Sequence, residues 1–514
     1  MRKCRVAAVI DIGSSVVRMH VSQWDGEKIT ELDMLEKPTQ MGKEVFSSGV
    51  ISSDTARSLS GVLNGFCEKA REYGITSVHA IATTALREAV NQAYILDYIS
   101  TRNKLEVKVL EDNEVGTLLT GALKAGDKAR APETLYVYGG MGATDFELLK
   151  AGGAALTHSL QTGLLKISEM LHEASDFSRH TDCMAEEYLH TVLSKGNRMR
   201  DLLKAKRVVF GVGDLQPIYK LLKLKSDSGE VEIDRKAMLE IYESHRSLSE
   251  AQICRKHRLN AQQGENLYSM ITLLAVILRA TNADKLVCVR VNLAGAMLDT
   301  ILQPDARKKH IERLHNGAVS SALDLALRYG CDEKHCEYVS KAALMLFKEL
   351  RKVFGFTKMQ SLLLHIACIL HEAGHYVNSD NAQEAAFYLV KSAHIHGLCS
   401  RETMLAASII APQSLPGITP DAAVRAGMLC SDDALVAAKM HAIARLADAF
   451  DFSHMQKAKI IDITHDDDSL VISVQILKDY TLEQWAFNHR AELFRDIFGI
   501  TPKLKVDNIY VINN

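Results

Sequence analysis

The chain opens on two apolar stretches separated by a short polar break: VAAVIDI, then Gly-Ser-Ser, then VVRMHV. A stretch apolar at nearly every position marks a strand buried on both faces, so residues 5–25 predict strand, glycine turn, strand. Asp25-Gly26 marks a hairpin, and Lys28-Ile29-Thr30 begins a third strand. The same order of signals returns further along. Residues 135–138 are apolar, Gly139-Gly140-Met141-Gly142 is a turn, residues 145–149 form a second strand, and Ala151-Gly152-Gly153 turns into a third. Two copies of one hairpin pattern predict a duplicated lobe. Between them a helical pattern over 54–73 alternates with β segments at 78–81 and 105–110, which predicts an α/β class.

Beyond residue 302 the pattern changes. Apolar residues recur at helical spacing through 339–350, 359–370 and 382–392, and Leu302-Gln303-Pro304-Asp305 separates this helical domain from what precedes it. Residues 460–474 and 503–512 read as a short β appendix. The expected organisation is a first lobe at 1–125, a second at 126–302, and an all-α domain with the β appendix at 303–514.

Composition narrows the partners. A chain of 514 residues, 47% hydrophobic, is too long for a single core. Lys and Arg number 61 against 63 Asp and Glu, so no overall field attracts nucleic acid, and phosphate chemistry must rest on local positive charge. The start, MRKCRVAAVIDIGSS, has too short an apolar run for a signal peptide, and the longest run, at 270–278, is well short of a membrane span. The expectation is a cytoplasmic protein with no membrane partner. The 10 cysteines contain no CxxC pair, and Cys331 and Cys336 match no zinc spacing, so they read as reduced core thiols.

The candidate chemistry lies at the turns. In Asp11-Ile12-Gly13-Ser14-Ser15 the glycine allows close backbone approach, and Ser14 and Ser15 offer N–H groups and hydroxyls to a phosphate. Asp11, at the strand end, would face a metal or its waters. A hairpin turn needed only for folding explains DIGSS equally well by itself; the second turn at 139–142 favours the functional reading. Arg87 can grip a phosphate through two bonds, with Thr83 and Thr84 adding hydroxyls. Outside this context Arg87 would read as an exposed helix arginine.

Six segments in order, IDIGSSVVRM, IATTALREAVN, VLEDNEVGTLLTG, YGGMGATDF, SLQTGLLKISE and FGVGD, resemble the exopolyphosphatase and guanosine pentaphosphate phosphohydrolase (Ppx/GppA) family. The likeness covers nearly the whole chain. It implies two duplicated actin-like, RNase H-like lobes followed by an all-α domain similar to HD phosphohydrolase domains, here at LHEAGHYV and ARLADAFD. It also implies release of terminal phosphate from polyphosphate or guanosine pentaphosphate with Mg²⁺, and a homodimer. By resemblance Glu114 is the general base, with Arg87 beside it. Gly13, Ser14, Ser15, Thr83, Thr84, Gly140, Gly142 and Thr144 contact phosphate, and Asp11 and Asp145 face the metal.

Departures from the family pattern pull the other way. Tyr138 stands where an aspartate is expected, removing a hard oxygen that magnesium favours. Asp145 replaces a glutamate, Gly116 an arginine, and Lys166 a second arginine; Asp214 would repel a phosphate chain if it faced the cleft. The helical domain keeps His335, His371 and Asp448, but its His-Asp pair reads His371-Glu372, and the later His-rich segment aligns with Ala382-Gln383-Glu384-Ala385. This HD site reads as degenerate, with His335, His365, His371 and His375 as structural residues. The basic runs at 195–207 and 307–310 read as solvated helix faces. Two readings stand: a phosphohydrolase of reduced activity, or a non-catalytic protein that binds polyphosphate, guanosine pentaphosphate or guanosine tetraphosphate.

Overall fold

The structure, a computed structural model, describes residues 4–509 except 128, 130, 141–142, 150–154, 161, 165–166, 169, 171–180, 194–196, 225–228, 412–428 and 467. It divides into two compact units, Met1–Leu314 and His315–Asn514.

The first unit contains two sheets. One runs in the order β3 (Ile29–Pro38), β2 (Val16–Trp24), β1 (Arg5–Ile12), β4 (His79–Ala82), β5 (Val107–Val109). In it β3, β2 and β1 are antiparallel, while β4 and β5 continue parallel to β1. The other contains β6 (Thr134–Gly139), β7 (Thr144–Leu149), β8 (Ala155–Leu160), β9 (Arg207–Val212), β10 (Glu230–Asp234) and β11 (Lys285–Arg290). Its order is β10-β11-β9-β6-β7-β8. Read from β8 to β11, order and strand senses repeat those from β3 to β5, with β10 added antiparallel at the edge. The repeated hairpin pattern is therefore a repeated sheet topology.

Strand β1 shows why its sequence is so uniformly apolar. Ala8, Ile10 and Ile12 face one core with Leu59, Leu63 and Phe66, while Ala7 and Val9 face another. The first of these cores is closed by the helix Ser53–Glu72, which Ser52 caps through the Thr55 amide. The second is shared by both sheets: Ile81 from β4, Val209 from β9 and Val287 from β11 meet Leu118, Leu119 and Leu123 of the helix Asp112–Gly126. That helix bridges the two lobes.

The second unit is helical around one core. Its helices include Glu333–Phe354, Lys358–Leu370, Ser400–Ile410 and Ser431–Ala449. Asp332 caps the first through the Lys334 and His335 amides, and a Thr357/Gln360 capping box starts the second. The appendix is a three-stranded sheet: β12 (Ala458–Asp466) pairs antiparallel with β13 (Ser469–Ile476), and β14 (Thr501–Ile509) pairs parallel with β13 after the helix Thr481–Phe498. A parallel neighbour needs such a crossover.

His441 ties two of these helices together. It is buried, and its Nδ1 donates to the Ile409 carbonyl in the last turn of Ser400–Ile410, a group with no partner inside its own helix. Burial pushes the imidazole pKa down to about 4, with the Ile409 bond opposing. The unfolded chain then binds a proton that the folded one refuses, so stability is full above the ordinary histidine range and falls as pH drops towards 4. Between pH 7 and pH 5 this contributes a loss of about 2 kcal/mol. Urea unfolding at both pH values should show it, and His441→Asn, which keeps a donor there but does not titrate, should reduce the difference by that amount.

Candidate functional site

The parallel strands of each lobe end on the same edge, where α/β sheets place their ligands. In the first sheet Asp11 lies level with Ile81, Ile12 with Ala82, and Ala82 with Val109. The segments that follow these strand ends are Gly13-Ser14-Ser15, Thr83-Thr84 and Leu110-Glu111. The Gly13 turn is held from both sides: its amide donates to the Val16 carbonyl at 3.1 Å, and the Ser14 and Ser15 carbonyls accept from Gly42 and Thr39 at 2.8 and 2.9 Å. A Cβ on Gly13 would lie 2.8 Å from the Val16 oxygen, so only glycine permits this turn without a shift. Ser14 is half-buried and Ser15 exposed.

Asp11 is half-buried and has no hydrogen-bond partner among the described residues. Burial pushes its carboxyl pKa up to about 6, against the pull of Arg18 and His20. A desolvated carboxylate without donors suits a hard cation. Among the described residues both convergent sets of three metal-ligating side chains lie in the second unit. A cation at the first site would therefore rest on Asp11 and on phosphate oxygens, as magnesium commonly does.

Arg87, in the short helix Thr84–Glu88, donates from Nη1 to the Leu110 carbonyl at 3.1 Å and lies 3.7 Å from Glu88. Thr83 is half-buried and Thr84 buried. Glu114 sits in the first turn of the bridging helix, four residues beyond Leu110. Its carboxylate accepts from the Glu111 amide at 3.1 Å, one half of a capping box, and from Lys108 Nζ at 2.6 Å. Arg87 and Glu114 are thus each anchored at the start of one helix, Arg87 at Leu110 and Glu114 at Glu111, and Lys108, which belongs to no motif, joins Glu114 there.

The second hairpin reaches the same helix. A Cβ built on Gly116 would fall inside the Asp145 carboxylate, so Asp145, itself buried, packs directly on the bare backbone of the bridging helix. Asp145 pairs in register with Tyr138. The Tyr138 ring lies along Gly140, whose Cβ would stand 3.3 Å from Tyr138 Cε1, and Gly140 is fixed by bonds to Ala143 and Leu164. Thr144 is fully buried and gives its hydroxyl to the Thr162 carbonyl at 2.7 Å. Asp214 accepts from the Gln216 amide at 2.9 Å and from Gln263 Nε2 at 3.1 Å. Gly142 and Lys166 lie outside the described residues.

In the second unit His335, His371 and Asp448 stand at the ends of three helices and meet. His335 Nε2 is 3.2 Å from His371 Nε2 and 3.3 Å from Asp448 Oδ1, which is 3.7 Å from His371 Nε2. Burial alone would lower the His335 pKa, but Asp448 and Asp451 outweigh it and hold it at about 9. Burial opposes ionisation of Asp448 too, yet His335, His371 and Arg490 keep its carboxyl well below the usual range. Glu372 points to His454, 3.2 Å from its Nε2, and the His454 ring stacks on His335 with centroids 3.7 Å apart. Of the other two histidines, His365 lies 6.4 Å from His315 between ring centroids and His375 is exposed. Asp451, His454 and Arg490 escaped the sequence reading. Only Asp451 carried a local signal, lying about one helical turn after Asp448.

Residues 20–303 match the Ppx/GppA phosphatase family, and residues 319–490 match Ppx/GppA phosphatase domain III. Among solved structures, the Aquifex aeolicus member of the Ppx/GppA family is similar at 19% identity, covering 59% of this chain and 99% of that chain with a TM-score of 0.52. A second structure of the Aquifex aeolicus PPX-GPPA enzyme matches at 18% identity over 58% of this chain and 99% of that one, with a TM-score of 0.51. At such identity these two show the fold alone. Among the described residues no helix is long and apolar enough to cross a membrane.

Proposed function

Because the chain belongs to the Ppx/GppA phosphatase family, we propose that its first unit is a slow phosphoanhydride hydrolase, releasing terminal phosphate from polyphosphate or guanosine pentaphosphate. One observation carries this reading: the bridging helix holds Glu114 beside Arg87's anchor at Leu110 and, two residues on, receives Asp145 from the second hairpin. An acid, a guanidinium anchor and the second hairpin's Asp145 therefore gather around one helix end.

In this reading the Gly13 turn binds the terminal phosphate through the Ser14 and Ser15 amides and hydroxyls, and Arg87 orients a neighbouring oxygen. Magnesium, when bound at Asp11, would neutralise charge on the phosphate oxygens. Glu114 takes the proton of the attacking water. It first has to part from Lys108, and an arriving polyanion competes for that ammonium, which ties release of the base to occupancy of the site. Tyr138 supplies no carboxylate, and losing one preorganised group of this kind costs on the order of 10²- to 10³-fold in rate. The second unit is HD-like on the same grounds of resemblance and supplies none of these groups.

The test is phosphate release from long-chain polyphosphate by the purified protein with magnesium, where slow release is expected. The rival reading, a non-catalytic binder, is favoured by one observation: donors already hold Glu114. Binding of polyphosphate or of the guanosine nucleotide without any release would establish the rival. Tyr138→Asp should raise turnover by roughly tenfold or more, because it returns a carboxylate opposite Asp145. An unchanged rate would show that the missing carboxylate is not what limits the reaction.

A further inference from the structure

A cavity of about 670 Å³ opens in the first lobe beside β5, the edge strand of its sheet, and none of its lining residues belongs to either glycine turn. Its floor is apolar and buried, made by Ile75, Ala80 and Leu105. Its rim is basic and exposed. Arg71 comes from the last turn of the helix Ser53–Glu72, Lys104 is the C-cap of the helix Gln92–Asn103, and Lys108 stands on β5, level with Ile81 of β4. Among the described residues neither Arg71 nor Lys104 has a carboxylate partner. Glu106 is the one carboxylate on the lining.

Charge and size together set the chemistry of a ligand here. Arg71, Lys104 and Lys108 against Glu106 leave two positive charges in excess, which matches the dianion that a phosphate monoester carries near neutral pH. Thr76 and Ser77 add hydroxyl donors. At the end of the helix Ser53–Glu72 the Ala70 carbonyl accepts from the Tyr73 and Ile75 amides and the Arg71 carbonyl from the Gly74 amide, so neither meets an incoming anion bare. The volume far exceeds one phosphate and lies in the range of small-molecule sites, so the apolar floor has room for an organic body. We propose that this cavity binds an organic phosphate monoester of mononucleotide size, with Arg71, Lys104 and Lys108 on the phosphate and Ile75, Ala80 and Leu105 against the body.

Lys108 joins this cavity to the chemistry. Its Nζ lies 2.6 Å from Glu114 Oε1, yet its side chain is 63% exposed, so the pair is weak and a dianion in the cavity competes for the ammonium. A ligand that draws Lys108 into the cavity relieves Glu114 of that positive charge, and a carboxylate without an adjacent cation is the stronger base. Resting on the hydrolase reading above, occupancy of the cavity therefore raises phosphate release without filling the Gly13 turn. The ligand acts as an activator, distinct from the substrate.

The test is calorimetric titration of the full chain with adenosine and guanosine 5′-monophosphates, and with inorganic phosphate and adenosine as the separate halves of a ligand. A nucleotide should bind at about one per chain, roughly tenfold or more tightly than either half, and more weakly as salt is added. Arg71→Gln and Lys104→Gln, both at exposed positions, should each weaken binding by roughly tenfold and leave unstimulated phosphate release unchanged. Arg87→Gln should bind the nucleotide as the wild type does. In the release assay the nucleotide should raise the wild-type rate severalfold and leave the rate of Lys108→Gln where it was. No binding of either nucleotide, or binding lost in Arg87→Gln and kept in Arg71→Gln, would overturn the site. Inorganic phosphate bound as tightly as the nucleotide would overturn the ligand class. Binding that leaves the wild-type rate unchanged would overturn the link through Lys108. Should the protein release no phosphate at all, the hydrolase reading fails by itself, and the titrations still decide the site.

Discussion

Glu114→Gln should lower phosphate release by about 10²- to 10⁴-fold while leaving the protein folded, the contribution expected of a general base. The separation of the two effects follows from the geometry. Glu114 is the third residue of its helix and accepts from the Glu111 amide. Glutamine serves a capping box as well as glutamate does. The bond to Lys108 is lost, but the Lys108 side chain is 63% exposed, and pairs of that kind contribute roughly 0–1 kcal/mol. Single-turnover release and thermal unfolding, measured on the same preparation, check both halves. Release by the variant at the wild-type rate would remove Glu114 from the chemistry.

Gly116→Ala should cost about 10²-fold in the same assay and roughly 2 kcal/mol of stability. The added methyl would occupy the position of the Asp145 carboxylate, which is buried and cannot swing into solvent without moving its strand. The second hairpin would then be pushed off the helix that carries Glu114, and a misplacement on the order of 1 Å is enough to damage a positioned site. Gly126 provides the control. It ends the same helix with nothing within 4 Å of an added Cβ, so Gly126→Ala should leave activity unchanged and stability equal or slightly higher. Equal effects from the two substitutions would show that the Asp145 contact is unimportant.

Much of the fold is legible from local pattern. Both faces of β1 are buried, so its sequence lacks alternation, and that lack is visible without coordinates. The repeated hairpin grammar foretold the repeated sheet order; Pro304, expected to separate two domains, instead begins the helix Pro304–Arg328, within which the two compact units divide. The added strand β10 was not foreseen, because five residues following a segment without clear periodicity carry too little signal.

The sequence by itself determined the strands and helices of local pattern, the repeated hairpin, and the position of the two glycine turns, because hydrophobic periodicity and turn residues act over a few positions of chain. Tertiary structure alone decided what those residues face. Gly116 reads as a lost arginine in the sequence, and in the fold it is the space that Asp145 fills. Glu114 reads as a free base, and Lys108 holds it. His335, His371 and Asp448 are far apart in the chain, and only the crossing of three helices sets them 3.2 to 3.7 Å apart. Such contacts depend on how whole elements pack, and packing is a property of surfaces that no local stretch of sequence contains.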